Sequence, residues 1–344
     1  MSARHPAPRT ATVLVTILLC SWSMAWAQQS YTPPRTPWGH PDLQGVWTSD
    51  DARGVPTQRP VELGERLLLT DEEFAARRQR DDETRGDVSV AAGTFVGEVG
   101  TRSLRQTSLV VAPADGRIPA RTAAADARMS ALAEASDPLL PGTWEDRSLF
   151  ERCISRGPLA SMPTLYGNGL RIVQSPTTVA ISHEMIHETR LIPIDGSRPV
   201  GAALRSYMGY SSGRWEGDTL VVETAGFTDK TNAGGTRHTG GLRIVERIRR
   251  VSDDTVNYEA TVTDADTWAV PWTVVVPLST QPGYEVYAYE CHEGNNALRN
   301  MLSAAREEER VRNDYIRKGL EPPPLRRPGD GDILPRDPSF GRPR

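Results

Sequence analysis

His183-Glu184-Met185-Ile186-His187 reads H-E-x-x-H, the residue types with which a helix sets two imidazoles on one zinc ion and a carboxylate on its water. On a strand the same spacing parts the two Cα atoms by roughly 13 Å, at about 3.3 Å per residue. Zn–N bonds of about 2 Å do not bridge that gap. The flanks favour a strand. Thr177 to Ser182 is β-branched and enters with no N-cap, and Pro193 would stop a helix soon after it began. The expected element is one strand over 178–192, with Val179, Ile181, His183, Met185, His187, Thr189 and Leu191 on its inward face. A zinc-dependent hydrolase using His183, Glu184 and His187 is the weaker alternative.

Without a metal the same histidine becomes a proton handler. His187, inward and desolvated, would serve as a general base near neutrality, or as a core histidine held by one hydrogen bond. His292 and Glu293 follow a strand end, where they would orient each other at a mouth, or where Glu293 would cap the next helix. Glu246 falls on the apolar face of Leu242-Arg243-Ile244-Val245-Glu246-Arg247-Ile248, and a buried carboxylate needs a partner. That partner is Arg152 or Arg190 in a structural ion pair; otherwise Glu246 is an acid facing His187. Tyr166, Asn168, Arg190 and Trp215 are the candidates to line a substrate pocket. Tyr166 and Asn168 read equally as turn residues, and Trp215-Glu216-Gly217-Asp218-Thr219 as a hairpin. Metal binding by His187, His292, His238 and a carboxylate has no supporting i, i+2 pair of histidines.

The elements that must position these groups begin after a leader. Residues 1–27 hold a basic start, an apolar run from Ala11 to Cys20 and the cleavage pattern Ala25-Trp26-Ala27. The run is too short for the roughly 20 residues that span a bilayer, so export without a membrane span is expected. Cys153 and Cys291 then remain, and in an oxidising compartment they read first as a disulfide, with two buried thiols as the alternative. The net charge of −4, with both signs mixed, argues against nucleic acid. No phosphate loop, dinucleotide fingerprint or G-x-S-x-G elbow is present, so no cofactor is expected.

Residues 28–41 read as an extended Pro-rich arm and 42–316 as one β-rich domain, with a helical or irregular excursion over 70–154. Within it Thr70 to Arg85 carries a capping box, and Trp144 to Ile154 reads as a short helix delivering Cys153. Strands are expected at Leu170 to Ser175, Thr178 to Ile192, Thr219 to Thr224, Leu242 to Val251, Thr255 to Asp264, Trp268 to Leu278 and Tyr284 to Cys291, separated by turn signals. Asn295 to Ile316 reads as a helix with the apolar stripe Leu298, Met301, Leu302 and Ala305, and 317–344 as a Pro-rich tail. Short strands joined by tight turns imply an all-β dominated fold: an antiparallel lipocalin-like barrel, or a strongly curved sheet, with a C-terminal helix. Gly45-Val46-Trp47 adds the G-x-W with which such barrels commonly begin, the Trp plugging one end under an Arg.

Several segments together resemble a large family of secreted bacterial proteins of unassigned function. They are Thr36-Pro37-Trp38-Gly39-His40-Pro41-Asp42-Leu43-Gln44-Gly45-Val46-Trp47, Arg152-Cys153-Ile154-Ser155-Arg156-Gly157, Glu184 to Arg190, Trp215 to Thr224, Trp268 to Trp272 and Cys291-His292-Glu293-Gly294-Asn295. The resemblance implies a shared fold and a Cys153–Cys291 pairing, and no reaction. His183 and the segment Tyr210-Ser211-Ser212-Gly213-Arg214 depart from the family pattern. The expected protein is periplasmic or secreted and acts on a small organic molecule by general acid–base chemistry, as a lyase, isomerase or hydrolase without cofactor. His187, His292, Glu246 and Glu293 would move the protons. A non-catalytic small-ligand-binding protein is the alternative; oligomeric state is not legible.

Overall fold

The computed structural model describes residues 31–86, 98, 100–135, 140–197 and 204–325, so the expected leader and most of the tail lie outside the described residues. The strands are β1 (Gly45–Thr48), β2 (Val110–Ala112), β3 (Gly169–Gln174), β4 (Thr178–His183), β5 (Thr189–Pro193) and β6 (Tyr210–Glu216). They continue with β7 (Thr219–Ala225), β8 (Asn232–Ala233), β9 (Thr236–Arg237), β10 (Arg243–Ser252), β11 (Thr255–Thr263) and β12 (Trp272–Ser279). Ten of them form one antiparallel sheet in the order β5-β4-β3-β1-β12-β11-β10-β7-β6, with β2 added to β12.

Period-two alternation builds the core. Val256, Tyr258, Ala260 and Val262 of β11 are buried beside Trp272, Val274, Val276 and Leu278 of β12, while the intervening residues are partly exposed. Each buried Val or Leu among them contributes about 1.5–3 kcal/mol by leaving water. The inner face is filled rather than hollow, with Trp47, Trp268, Trp272 and Phe227 among its largest fully buried side chains. Trp47 lies under the Arg250 guanidinium, 5.4 Å from ring centroid to carbon, and Arg250 also donates to the Asp42 carbonyl.

Among the described residues three α-helices lie outside the sheet: α1 (Asp71–Gly86), α2 (Ala123–Ala135) and α3 (Ala297–Arg317). The capping box at the head of α1 is present in both directions, Glu73 N–H to Thr70 Oγ1 and Thr70 N–H to Glu73 Oε2. Ala305 is the buried residue of α3, as its apolar stripe requires.

Four expectations on elements are corrected. The excursion, expected to be helical or irregular, also holds a strand, β2, which its short apolar stretch did not announce. Trp144 to Ile154 forms only a 3₁₀ turn over Trp144–Asp146 followed by turns, because the backbone already turns extended at Arg147, φ −92° and ψ 151°. Tyr284 to Cys291 takes no regular structure and joins no ladder among the described residues, and forms a strap instead. The fourth correction falls on 178–192, which is a hairpin rather than one strand. β4 ends at His183, a tight turn passes through Met185–His187, and β5 returns with Ser182 opposite Thr189.

The ends of the sheet come together. Nine strands along an antiparallel path leave β5 and β6 running in the same direction, so a ladder between them would have to be parallel. None is formed among the described residues. The two strands nevertheless abut: a Cβ on Gly213 of β6 would stand 2.9 Å from methyl groups of Ile192 and Ile194.

Candidate functional site

The turn after β4 decides where the sequence-predicted chemistry goes. Ile186 and His187 both adopt left-handed backbone, φ 65° and 53°, a conformation that costs non-glycine residues about 1–3 kcal/mol each. His183 N–H to Glu188 O at 3.0 Å and Glu184 N–H to Gly169 O at 2.8 Å hold it. The turn reverses the inward phase, so Arg190 and Ile192 are buried while Thr189 and Leu191 are exposed. His187 is therefore exposed, not inward, and the expected desolvated base is not found there. His183, on the older phase, is the buried one.

His183 is enclosed between Ser161 Oγ, 3.3 Å from Nε2, and the Glu188 carbonyl, 3.4 Å from Nδ1. Burial, reinforced by the Arg156 and Arg190 charges, pushes its imidazole down to about 3, so it is neutral at ordinary pH. With Nε2 against a serine and His187 in the exposed turn, the H-E-x-x-H pair does not converge on one ion. Among the described residues no three His, Cys, Asp or Glu side chains gather as metal ligands.

Arg190 reaches from β5 across the sheet interior to Glu246 on β10. Its two terminal nitrogens donate to the two carboxylate oxygens at 2.8 and 2.5 Å. Tyr258 O–H donates to the same carboxylate at 2.8 Å, Thr224 hydroxyl at 3.5 Å, and Ser211 lies 2.9 Å from Thr224. Burial alone would lower the Arg190 guanidinium, but the Glu246 carboxylate outweighs it and holds it above its ordinary value. Burial and the same carboxylate push the Tyr258 phenol well up. Glu246 is thus the ion-paired carboxylate that its place on an apolar face demanded. Its oxygens are occupied, and none of these partners is a histidine.

Beside this clasp, the β5–β6 seam opens into a cleft of about 360 Å³ lined by Thr189, Arg190, Leu191, Pro193, Ser206, Met208, Gly209, Tyr210 and Ser211. Trp215 lies further along β6, against the His40 ring at a centroid distance of 5.5 Å. The arm before β1 is also tied there by Arg35 to Asp218 at 2.6 Å.

A second polar region covers one end of the sheet. Asn168 donates to Asp50 at 2.8 Å and to the Thr164 carbonyl, holding the loop before β3. Glu184 accepts the Tyr284 hydroxyl at 2.8 Å and the Tyr287 N–H at 3.4 Å. Tyr166 stacks on Tyr289, their hydroxyls 3.3 Å apart. The strap, which carries Tyr284, Tyr287 and Tyr289, is fastened by the Cys153–Cys291 disulfide, Cα–Cα 5.7 Å. Burial raises the Glu98 and Glu188 carboxyls, lowers Arg156 to about 10 and, with the Tyr166 hydroxyl, pushes Tyr289 up to about 12. His292 and Glu293 are exposed just past Cys291, and His187 is exposed next to Glu188, which bonds Ser155 and Arg156. His238 is elsewhere, buried against Thr231 at 2.7 Å. Ser161, Arg156, Ser211 and Tyr284 were not legible in the sequence, being ordinary residue types in loops, the strap and an irregular strand, whose proximity only the fold creates.

No family model, no curated protein and no solved structure matches the chain.

Proposed function

We propose that this is an exported protein that binds a small organic molecule in the β5–β6 cleft without transforming it. The sheet, on this reading, is a lipocalin-like barrel with one seam left unzipped, in keeping with Trp47 under Arg250 and with the near approach of Ile192 to Gly213. The observation that carries the reading is the cleft itself. Its volume falls within the roughly 300–1,000 Å³ of small-molecule sites, and it mixes hydroxyls with the apolar Met208, Leu191 and Pro193. The neighbouring carboxylate, Glu246, has its oxygens committed to Arg190, Tyr258 and Thr224, which leaves no free base there. A disulfide and the absence, among the described residues, of any helix long and apolar enough to cross a membrane accord with export. The test is a thermal-shift screen of small organic compounds against wild type and Leu191→Glu, a change at an exposed position. Hits lost in the variant support the reading; hits indifferent to it refute it.

The alternative is acid–base catalysis at the strap-covered end. The 2.8 Å contact between Glu184 and Tyr284, two titratable groups within proton-transfer reach, favours it. His187, His292 and Glu293 would then serve as exposed proton handlers around that end. Turnover of any compound that falls 10²–10⁴-fold, roughly the worth of a positioned base, in folded Glu184→Gln would establish it.

A further inference from the structure

We infer that the occupant of the cleft is a short extended peptide held through its backbone as an added strand, an inference that rests on the cleft being the binding site. Antiparallel ladders alternate, so every second residue of an edge strand turns its N–H and C=O away from its partner. Along β5 the bonds Glu188 O to His183 N–H and Ile194 N–H to Thr177 O fix the phase. Arg190 and Ile192 therefore address β4, while Thr189, Leu191 and Pro193 address the seam. Pro193 fits that assignment, since its missing N–H falls where no ladder bond is needed. On the facing strand, the two-residue hairpin pairing Glu216 with Thr219 turns Ser211, Gly213 and Trp215 to the seam.

The cleft is thus bounded by main-chain donors and acceptors that have no ladder partner among the described residues, at Thr189, Leu191 and Ser211, three of its lining residues. Such an edge is a template for another strand. Charge points the same way. Arg190, the cation of the cleft, is spent on Glu246, so the pair is neutral and suits an uncharged peptide backbone better than a carboxylate or phosphate. Met208 and Leu191 offer apolar surface for a side chain. Ile192 already packs on Gly213, so β5 offers its edge only from Thr189 to Leu191, roughly 7 Å at about 3.3 Å per residue, enough for about two or three residues.

The experiment titrates the whole mature chain with acetyl-Ala-Leu-Ala-Leu-amide and with two versions N-methylated on alternate amides, read by the Met208 and Leu191 methyl signals. One alternate set should weaken binding about tenfold or more, since each methyl removes a strand bond, and the other set much less. Equal binding of all three peptides, or no binding by any at millimolar concentration, overturns the peptide assignment but leaves the cleft open to other molecules. Binding that moves neither methyl signal and survives Leu191→Glu overturns the cleft reading as well.

Discussion

Arg190 and Glu246 form an ion pair whose side chains are 9% and 0% exposed, joining β5 to a strand three places beyond the seam. Removing one partner strands a buried charge, so Arg190→Met or Glu246→Gln should each cost about 3–5 kcal/mol in denaturant unfolding. Arg190→Met with Glu246→Leu together should cost less than the sum, which a double-mutant cycle measures. His183 carries the pH dependence. Its folded value near 3 lies below the ordinary 6.5, so the unfolded chain binds the proton first. The stability it contributes is complete above pH 6.5 and is lost as pH falls toward 3. In His183→Gln that part of the acid-side slope should vanish, as chemical denaturation at a series of pH values would show. Glu246 was legible in the sequence because a regular strand keeps its phase over ten residues. His187 was not: two left-handed residues reverse the chain, and neither Ile nor His announces that conformation.

At the scale of elements, parity explains the seam. An antiparallel path of nine strands ends with two strands of like direction, and here neither Pro193 nor Gly213 helps to zip them. Side-chain packing takes over, with Ile192 and Ile194 close upon Gly213. Gly213→Val should crowd those methyls and cost about 1–3 kcal/mol, the range for an overpacked core, read as a shift in the denaturation midpoint. Most strands were legible from alternation and turn signals, and the α1 capping box to the residue. β6 was not, since Ser211-Ser212-Gly213-Arg214 lacks the β-branched side chains by which strands are recognised. The strap misled in the opposite sense. Tyr284 to Cys291 alternates like a strand, yet its partners are side chains, Glu184 and Tyr166, rather than another edge.

For the whole molecule, the disulfide closes a separation of 138 residues and ties the strap to the loop before β3. The chain-entropy model gives it about 4–5 kcal/mol, so Cys153→Ser with Cys291→Ser should unfold at correspondingly lower denaturant. Hydrogen exchange should rise in the strap first, where only a few side-chain contacts remain. Where a ligand goes is read most directly by methyl-resolved NMR of the Met- and Leu-labelled chain during ligand titration. With the ligand in the β5–β6 cleft, the signals of Met208 and Leu191 should move together and saturate, while Met185, buried behind the strap-covered end, stays still. Movement confined to Met185 and its surroundings, with Met208 and Leu191 unchanged, would place the site at Glu184 and Tyr284 and rule out the cleft.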